Sequence, residues 1–223
     1  GDGLRWVHWC GAGIDSLMAD DLIESEVVLT NSRGTVSHEM AEFTLGLVVA
    51  FAKRLPAILK GQSRHVWKHE FNQRLRGCSV LVIGVGSIGR EISRLLGAIG
   101  LEVDGMGRNR RELDLDFRKV YAVGELDARL PYYDYVVVMA PSTPQTYRLF
   151  GAKQFVLMKS TARIINLARG AILDESALID ALNHGEIAGA GLDVFETEPL
   201  PTDSPLWNMD NVIVSPHVSG EFE

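Results

Sequence analysis

Six residues, Gly84-Val85-Gly86-Ser87-Ile88-Gly89, directly follow the apolar run Val80-Leu81-Val82-Ile83 and open the amphipathic stretch Ile88–Leu96. A strand, a G-x-G-x-x-G turn and a helix start in that order build a site for a pyrophosphate. The glycines let the backbone turn tightly and come close to the phosphates, and the N–H groups of the first helical turn face the negative charge. Gly84, Gly86, Ser87, Ile88 and Gly89 are therefore predicted to hold a dinucleotide, against the alternative of an ordinary tight strand-to-helix turn. Roughly 20 residues further on, such sites carry an acid that accepts hydrogen bonds from the adenine ribose. Here that region reads Gly105-Met106-Gly107-Arg108-Asn109-Arg110-Arg111. An acid would repel a 2′-phosphate, whereas guanidinium groups bind phosphate through paired hydrogen bonds. Arg108, Asn109 and Arg110 are thus expected to select NADP over NAD, the alternative being a solvated basic loop.

From Arg76 onward, short apolar runs alternate with helical patterns, the signature of a parallel sheet covered on both faces. The strands are predicted at Ser79–Ile83, Glu102–Met106, Tyr135–Met139, Arg163–Leu167, Gly189–Val194 and Val212–Val214. Helices are predicted at Ser87–Gly100, Ala152–Met158 and Glu175–His184, the last stopped by Gly185. Before them lie a strand at Arg5–Trp9, a Gly-rich turn at Gly11-Ala12-Gly13, a short helix near Leu17–Ile23, a strand at Val27–Thr30 and one helix from Ser37 to about Leu59. That last helix is apolar almost all round at its middle, so it is expected to be buried on more than one side, against another domain or subunit.

With 223 residues, 46% of them hydrophobic, the chain can fill a real core. A net charge of −7, with no basic run longer than Arg110-Arg111, argues against a nucleic-acid or membrane-surface binder and favours small-molecule partners. Phe43–Ala52, the most apolar stretch, is about half the roughly 20 residues that a bilayer span needs. Two cysteines, Cys10 and Cys78, are too few for a disulfide framework, and a cytoplasmic location is expected. His65 and His69 have helical i, i+4 spacing but no third ligand nearby, so no metal is predicted.

Further segments narrow the reading: Gly11-Ala12-Gly13-Ile14-Asp15, Asn31-Ser32-Arg33-Gly34 leading to Ala41-Glu42, Asn166-Leu167-Ala168-Arg169-Gly170, Asp193-Val194-Phe195-Glu196-Thr197-Glu198-Pro199-Leu200, and Ser215-Pro216-His217-Val218-Ser219-Gly220. In this order, over nearly the whole chain, they resemble the D-isomer-specific 2-hydroxyacid dehydrogenases. The basic loop is most similar to the NADP-using glyoxylate and hydroxypyruvate reductase branch. The resemblance implies a doubly wound α/β dinucleotide-binding domain over residues 37–216, part of a flavodoxin-like substrate domain over 1–36, and the start of a return to it at 217–223. That substrate domain is expected to be incomplete on both sides.

The same resemblance assigns roles. Arg169 would hold the carboxylate and carbonyl of a small 2-keto acid, His217 would be the general acid/base, and Glu198 would keep His217 protonated for reduction. The chemistry fits, because hydride addition to a ketone needs a cation at the substrate and a proton for the oxygen, and a carboxylate beside an imidazole favours its charged form. Composition alone leaves Glu196 as a rival, but the family's acid stands directly before the proline, which selects Glu198. Ala12 and Gly13 would offer backbone N–H groups to the substrate carboxylate. Asp193 would meet the nicotinamide carboxamide, Ala168 and Gly220 the nicotinamide side, and Ala140, Pro141 and Thr146 the adenosine portion. A homodimer is implied as well. Two alternatives stay open: phosphoglycerate dehydrogenase, for which Arg33 is the one nearby cation to meet a substrate phosphate, and a dinucleotide-sensing protein without turnover.

Overall fold

Side chains on both faces of the central strands are buried, which is why these strands read as unbroken apolar runs rather than as alternations. Val80, Val82, Tyr135, Val137 and Ile165 point into one core, and Leu81, Ile83, Val136, Val138 and Ile164 into a second one on the opposite face. The computed structural model describes residues 3–11, 13–14, 20–112 and 114–222. Its larger sheet is built from β3 (Ser79–Ile83), β4 (Glu102–Gly107), β5 (Val120–Ala122), β6 (Tyr135–Val138), β7 (Arg163–Asn166), β8 (Gly189–Leu192) and β9 (Val212–Val214). All seven strands are parallel, in the order β5-β4-β3-β6-β7-β8-β9. The doubly wound architecture expected from the sequence is the one observed.

A separate two-stranded parallel sheet pairs β1 (Trp6–Trp9) with β2 (Val28–Asn31), Trp6 opposite Val28 and Trp9 opposite Asn31. Between them the short helix α1 covers Asp20–Ile23; the first residues expected in this helix, 17–19, lie outside the described residues.

The single helix expected from Ser37 to Leu59 is in fact two: α2 (Ser37–Ala52) and α3 (Leu55–Ser63). Pro56 is the cause. It has no N–H to donate to the carbonyl of Ala52, and its ring would clash there. Arg54 turns the chain in a left-handed conformation, φ 55°, and the Ala52 carbonyl accepts instead from the backbone N–H of Gln73 at 2.9 Å. The burial expectation also changes. On α2 only one face, including Met40, Leu47, Val48 and Phe51, is buried, against α4 and the sheet, whereas α3 buries none of its residues. Gly189 and Gly191 of β8 admit this close approach: a Cβ on Gly191 would lie 3.1 Å from Leu47 and 3.3 Å from Phe51.

Helix α4 (Ser87–Ala98) follows β3, α6 (Ala152–Leu157) follows the loop after β6, and α7 (Glu175–His184) follows β7. Asp174 caps α7 by accepting the Ala177 N–H at 3.1 Å, and Gly185 ends it in the left-handed conformation at φ 70°. The sequence reading missed β5 and the short helix α5 (Leu126–Arg129) beyond it. Three residues at a sheet edge carry too little periodicity to register.

Candidate active site

Strand order reverses between β3 and β6, and a crevice at such a switch point, outside the carboxyl ends of the strands, is where doubly wound sheets take ligands. The glycine-rich turn lies there. Gly84 has φ 114°, and a Cβ on it would sit 2.5 Å from the Met139 carbonyl oxygen, so the turn is packed against the chain leaving β6. At Gly89 a Cβ would sit 2.0 Å from the Gly84 carbonyl oxygen, which requires glycine for the helix to start so close to the strand. Gly86 differs, because the only described atom near its added Cβ is a guanidinium nitrogen of Arg33 at 3.8 Å. Two glycines are filled by the fold and the middle one faces open space, with Ser87 and Ile88 opening α4 beside it. This cradle suits a pyrophosphate.

Arg108, Asn109 and Arg110 are exposed in the turn leaving β4, beside the cradle: a Cβ on Gly107 would lie 2.9 Å from Val85. Arg110 reaches toward Glu125, 3.9 Å away. The segment after them is moored to α4. Arg90 makes a two-pronged pair with Asp114, both contacts at 2.9 Å, and also bonds Asp116; Arg111 joins Asp114 at 3.2 Å. Burial alone would raise the Asp114 carboxyl, but hydrogen bonds from Arg90, the Asp116 N–H and Arg111 outweigh it and bring the group down to about 2. Ala140 and Pro141 leave β6 beside Gly84. The Thr146 hydroxyl organises that turn, donating to the Pro141 carbonyl at 2.7 Å and accepting the Thr143 N–H at 2.8 Å.

Farther along the sheet, the ends of β7, β8 and β9 carry the residues with acid–base and cationic chemistry. His217 Nδ1 lies 2.7 Å from Glu198 Oε2. A carboxylate only accepts, so Nδ1 carries the proton of this bond, and the imidazole is half exposed. The other oxygen of Glu198 accepts the Phe195 N–H at 3.0 Å. Glu196 points elsewhere, toward Arg148 at 3.3 Å, so the structure brings Glu198 and not Glu196 to the histidine. Arg169 follows β7, and the next residue, Gly170, is pressed against the same 195–198 segment: a Cβ there would be 1.9 Å from the Phe195 carbonyl carbon. The segment after Arg169 is thereby in contact with the loop of Glu198, which in turn bonds His217.

Two buried polar residues fix these loops. Asn166, fully buried, accepts the Ala168 N–H at 3.1 Å and donates to the Arg169 carbonyl at 2.9 Å. Asp193, also fully buried, accepts from the Ser215 hydroxyl at 2.5 Å, the Val218 N–H at 3.0 Å and the Ser219 N–H at 2.9 Å. Burial works against this carboxylate, yet the hydrogen bonds prevail and hold its pKa below the usual carboxylate value. Both oxygens thus serve the loop carrying His217, which itself sits at φ 56°. The sequence offered a signal for both residues, a polar side chain ending a wholly apolar strand, but not this role. Gly220 abuts Val36 and Met40 at the start of α2, and Ala168 is buried. Gly13 is half-buried in the loop after β1; Ala12 lies outside the described residues. Among the described residues, no three His, Cys, Asp or Glu side chains are grouped so as to hold a metal ion, and no helix is long and apolar enough to cross a membrane.

Comparison with known proteins agrees with this fold. Residues 45–219 match the family model for the D-isomer specific 2-hydroxyacid dehydrogenase NAD binding domain. The chain is 33% identical to a D-3-phosphoglycerate dehydrogenase of Methanocaldococcus jannaschii over 99% of its own length and 42% of that protein's. It is 35% identical to glyoxylate/hydroxypyruvate reductase B of Salmonella newport over 96% of its length and 68% of the relative's. Among solved structures, a D-isomer specific 2-hydroxyacid dehydrogenase from Xanthobacter autotrophicus Py2, in complex with NADPH and MES, superposes with a TM-score of 0.88 at 38% identity, covering 98% of this chain and 70% of that one. The chain therefore spans between two fifths and about 70% of the length of these relatives.

The bonds of Asp193 give a direct expectation. Asp193→Asn replaces one acceptor with a donor facing N–H groups, which should cost about 2 kcal/mol. Hydrogen exchange at the Val218 and Ser219 amides should accelerate by at least roughly tenfold; unchanged protection would show that the carboxylate does not hold the loop.

Proposed function

The chain belongs to the D-isomer specific 2-hydroxyacid dehydrogenase family, and on that premise we propose that it takes part in reducing a small 2-keto acid to a D-2-hydroxy acid with NADPH as preferred hydride donor. The observation that carries this reading is the Glu198–His217 hydrogen bond, set on loops at the carboxyl ends of the strands whose switch point holds the glycine cradle. Residues 1–36 form part of the substrate domain in this reading, 37–216 the dinucleotide-binding domain, and 217–223 the start of the return.

A dinucleotide held in the cradle would supply the hydride that the carbonyl carbon takes up. Arg169 holds the substrate carboxylate and draws electron density from the ketone oxygen. His217 gives its Nε2 proton to that oxygen as the C–O double bond becomes a single bond, while Glu198 steadies the ring through Nδ1. Arg108, Asn109 and Arg110 would meet the 2′-phosphate, and the Arg90–Asp114 pair keeps the segment after them moored to α4. The NADPH complex of the Xanthobacter relative and the reductase from Salmonella favour this cofactor and a substrate such as glyoxylate or hydroxypyruvate. Ala12 and Gly13 are proposed to receive the substrate carboxylate, Ala168, Asp193 and Gly220 to border the nicotinamide, and Ala140, Pro141 and Thr146 the adenosine.

A homodimer belongs to the same proposal. Helix α3 and the chain after it expose Ile58, Leu59, Trp67 and Phe71, with Trp67 99% and Phe71 87% exposed, an apolar run that a second copy would cover. Sedimentation should give the mass of two chains, and a concentration-independent single-chain mass would refute it. Both cysteines are free thiols, which accords with the cytoplasm, as fractionation of the native cell would test.

The enzymatic reading is tested by the loss of reduced-nicotinamide absorbance with NADPH or NADH in the presence of glyoxylate, hydroxypyruvate or 3-phosphohydroxypyruvate. Turnover should favour NADPH and the unphosphorylated acids. His217→Ala should reduce kcat by about 100-fold or more, and Arg108→Glu should erase the preference for NADPH. Tight nucleotide binding without turnover of any keto acid would move the assignment to a sensing protein, and a strong preference for the phosphorylated substrate would move it to phosphoglycerate dehydrogenase.

A further inference from the structure

The turn that leaves the small sheet brings a cation to the glycine cradle. Ser32 is tied to the preceding loop through its N–H, which bonds the Trp9 carbonyl at 3.1 Å and the Gly11 carbonyl at 3.3 Å. Thr35 closes the turn by donating its hydroxyl to the Ser32 carbonyl at 2.8 Å, and Gly34 at φ 97° supplies the left-handed step. At the second residue of α2, His38 reaches Glu91 on α4 at 3.1 Å, so this segment is held against the helix that the cradle opens. Arg33 projects from that turn. Its Nη2 comes to 3.8 Å of the Cβ position of Gly86, the one cradle glycine whose front is otherwise open.

Charge makes the placement informative. Among the described residues no carboxylate pairs with Arg33, although most other arginines of the chain are engaged in ion pairs. The space before Gly86 is thus bounded by the N–H groups opening α4 on one side and, on the other, by a guanidinium that pairs with none of the described carboxylates. A phosphate between them would receive backbone hydrogen bonds and a charged, forked pair together.

We propose that Arg33 clasps the dinucleotide pyrophosphate from the side opposite α4. This rests on the dinucleotide reading above and extends it. Arg33 follows Ser32, which is tied to the Gly11 carbonyl, so the clasp also ties cofactor binding to the position of the proposed substrate loop. The role differs from that of Arg108 and Arg110, which face a phosphate that only NADP carries, and from that of a cation reserved for a phosphorylated substrate.

The test is nucleotide binding by the full chain, followed by fluorescence titration with NADPH and with NADH, for the wild type, Arg33→Gln and Arg33→Lys. Arg33 is exposed, so the variants should keep the wild-type circular dichroism and melting temperature. Arg33→Gln should weaken both nucleotides by roughly tenfold, leaving their ratio unchanged, and Arg33→Lys should recover part of the loss. Unchanged affinities would overturn the proposal. Weakening of NADPH alone would assign Arg33 to the 2′-phosphate, and a raised KM for 3-phosphohydroxypyruvate with intact nucleotide binding would assign it to the substrate; either overturns the clasp. If the wild type bound neither nucleotide, the underlying dinucleotide reading would itself fail.

Discussion

A carboxylate with no exposure to water must have its charge met by the protein, and at Asp193 that requirement shapes the end of the sheet that carries the proposed catalytic residues. The side chain stands at the end of a strand buried on both faces, where an unpaired charge would be severely destabilising. The fold meets it with three donors, all from residues 215–219. Satisfying the buried charge therefore fixes the path of the one loop that carries His217. Asn166 applies the same logic one strand over, where a buried amide with both ends bonded to the 168–169 backbone sets the direction in which Arg169 leaves the sheet. The groups that would be costly if left unpaired are thus the ones that orient the loops of the side chains proposed to react.

The cofactor end rests on steric exclusion instead. Gly84 and Gly89 are positions where a methyl group would overlap backbone oxygen, and their lack of a side chain brings β3, α4 and the chain after β6 within contact of one another. That compactness leaves the space before Gly86 open and flanked by positive potential from the helix terminus, the Arg108–Arg110 turn and Arg33. An acidic chain, with a net charge of −7, thus concentrates cations where an anionic dinucleotide would lie.

Much of this was legible in the residues. The strands from β3 to β9 other than β5 read as apolar runs because both faces of the sheet are covered, and the glycine spacing located the cradle because sterics at Gly84 and Gly89 admit nothing larger. The choice of Glu198 over Glu196 agrees with the bond to His217. What escaped the reading depended on partners distant in sequence. The helix expected from Ser37 to about Leu59 runs through Pro56, whose missing N–H, with the left-handed Arg54, divides α2 from α3. The hydrogen bonds of Asp193 to residues more than 20 positions away, and the reach of Arg33 to Gly86, have no local pattern. Three-residue β5 at the sheet edge was too short to show a period.

The most direct test of the account is a crystal structure of the protein with NADPH and oxamate, a stable mimic of a 2-keto acid. The account predicts the pyrophosphate before Gly86, the nicotinamide near Ala168 and Asp193, and the oxamate carboxylate on Arg169 with its carbonyl oxygen within hydrogen-bond distance of His217 Nε2. A nucleotide seated in the cradle with oxamate bound away from Arg169 and His217 would contradict it.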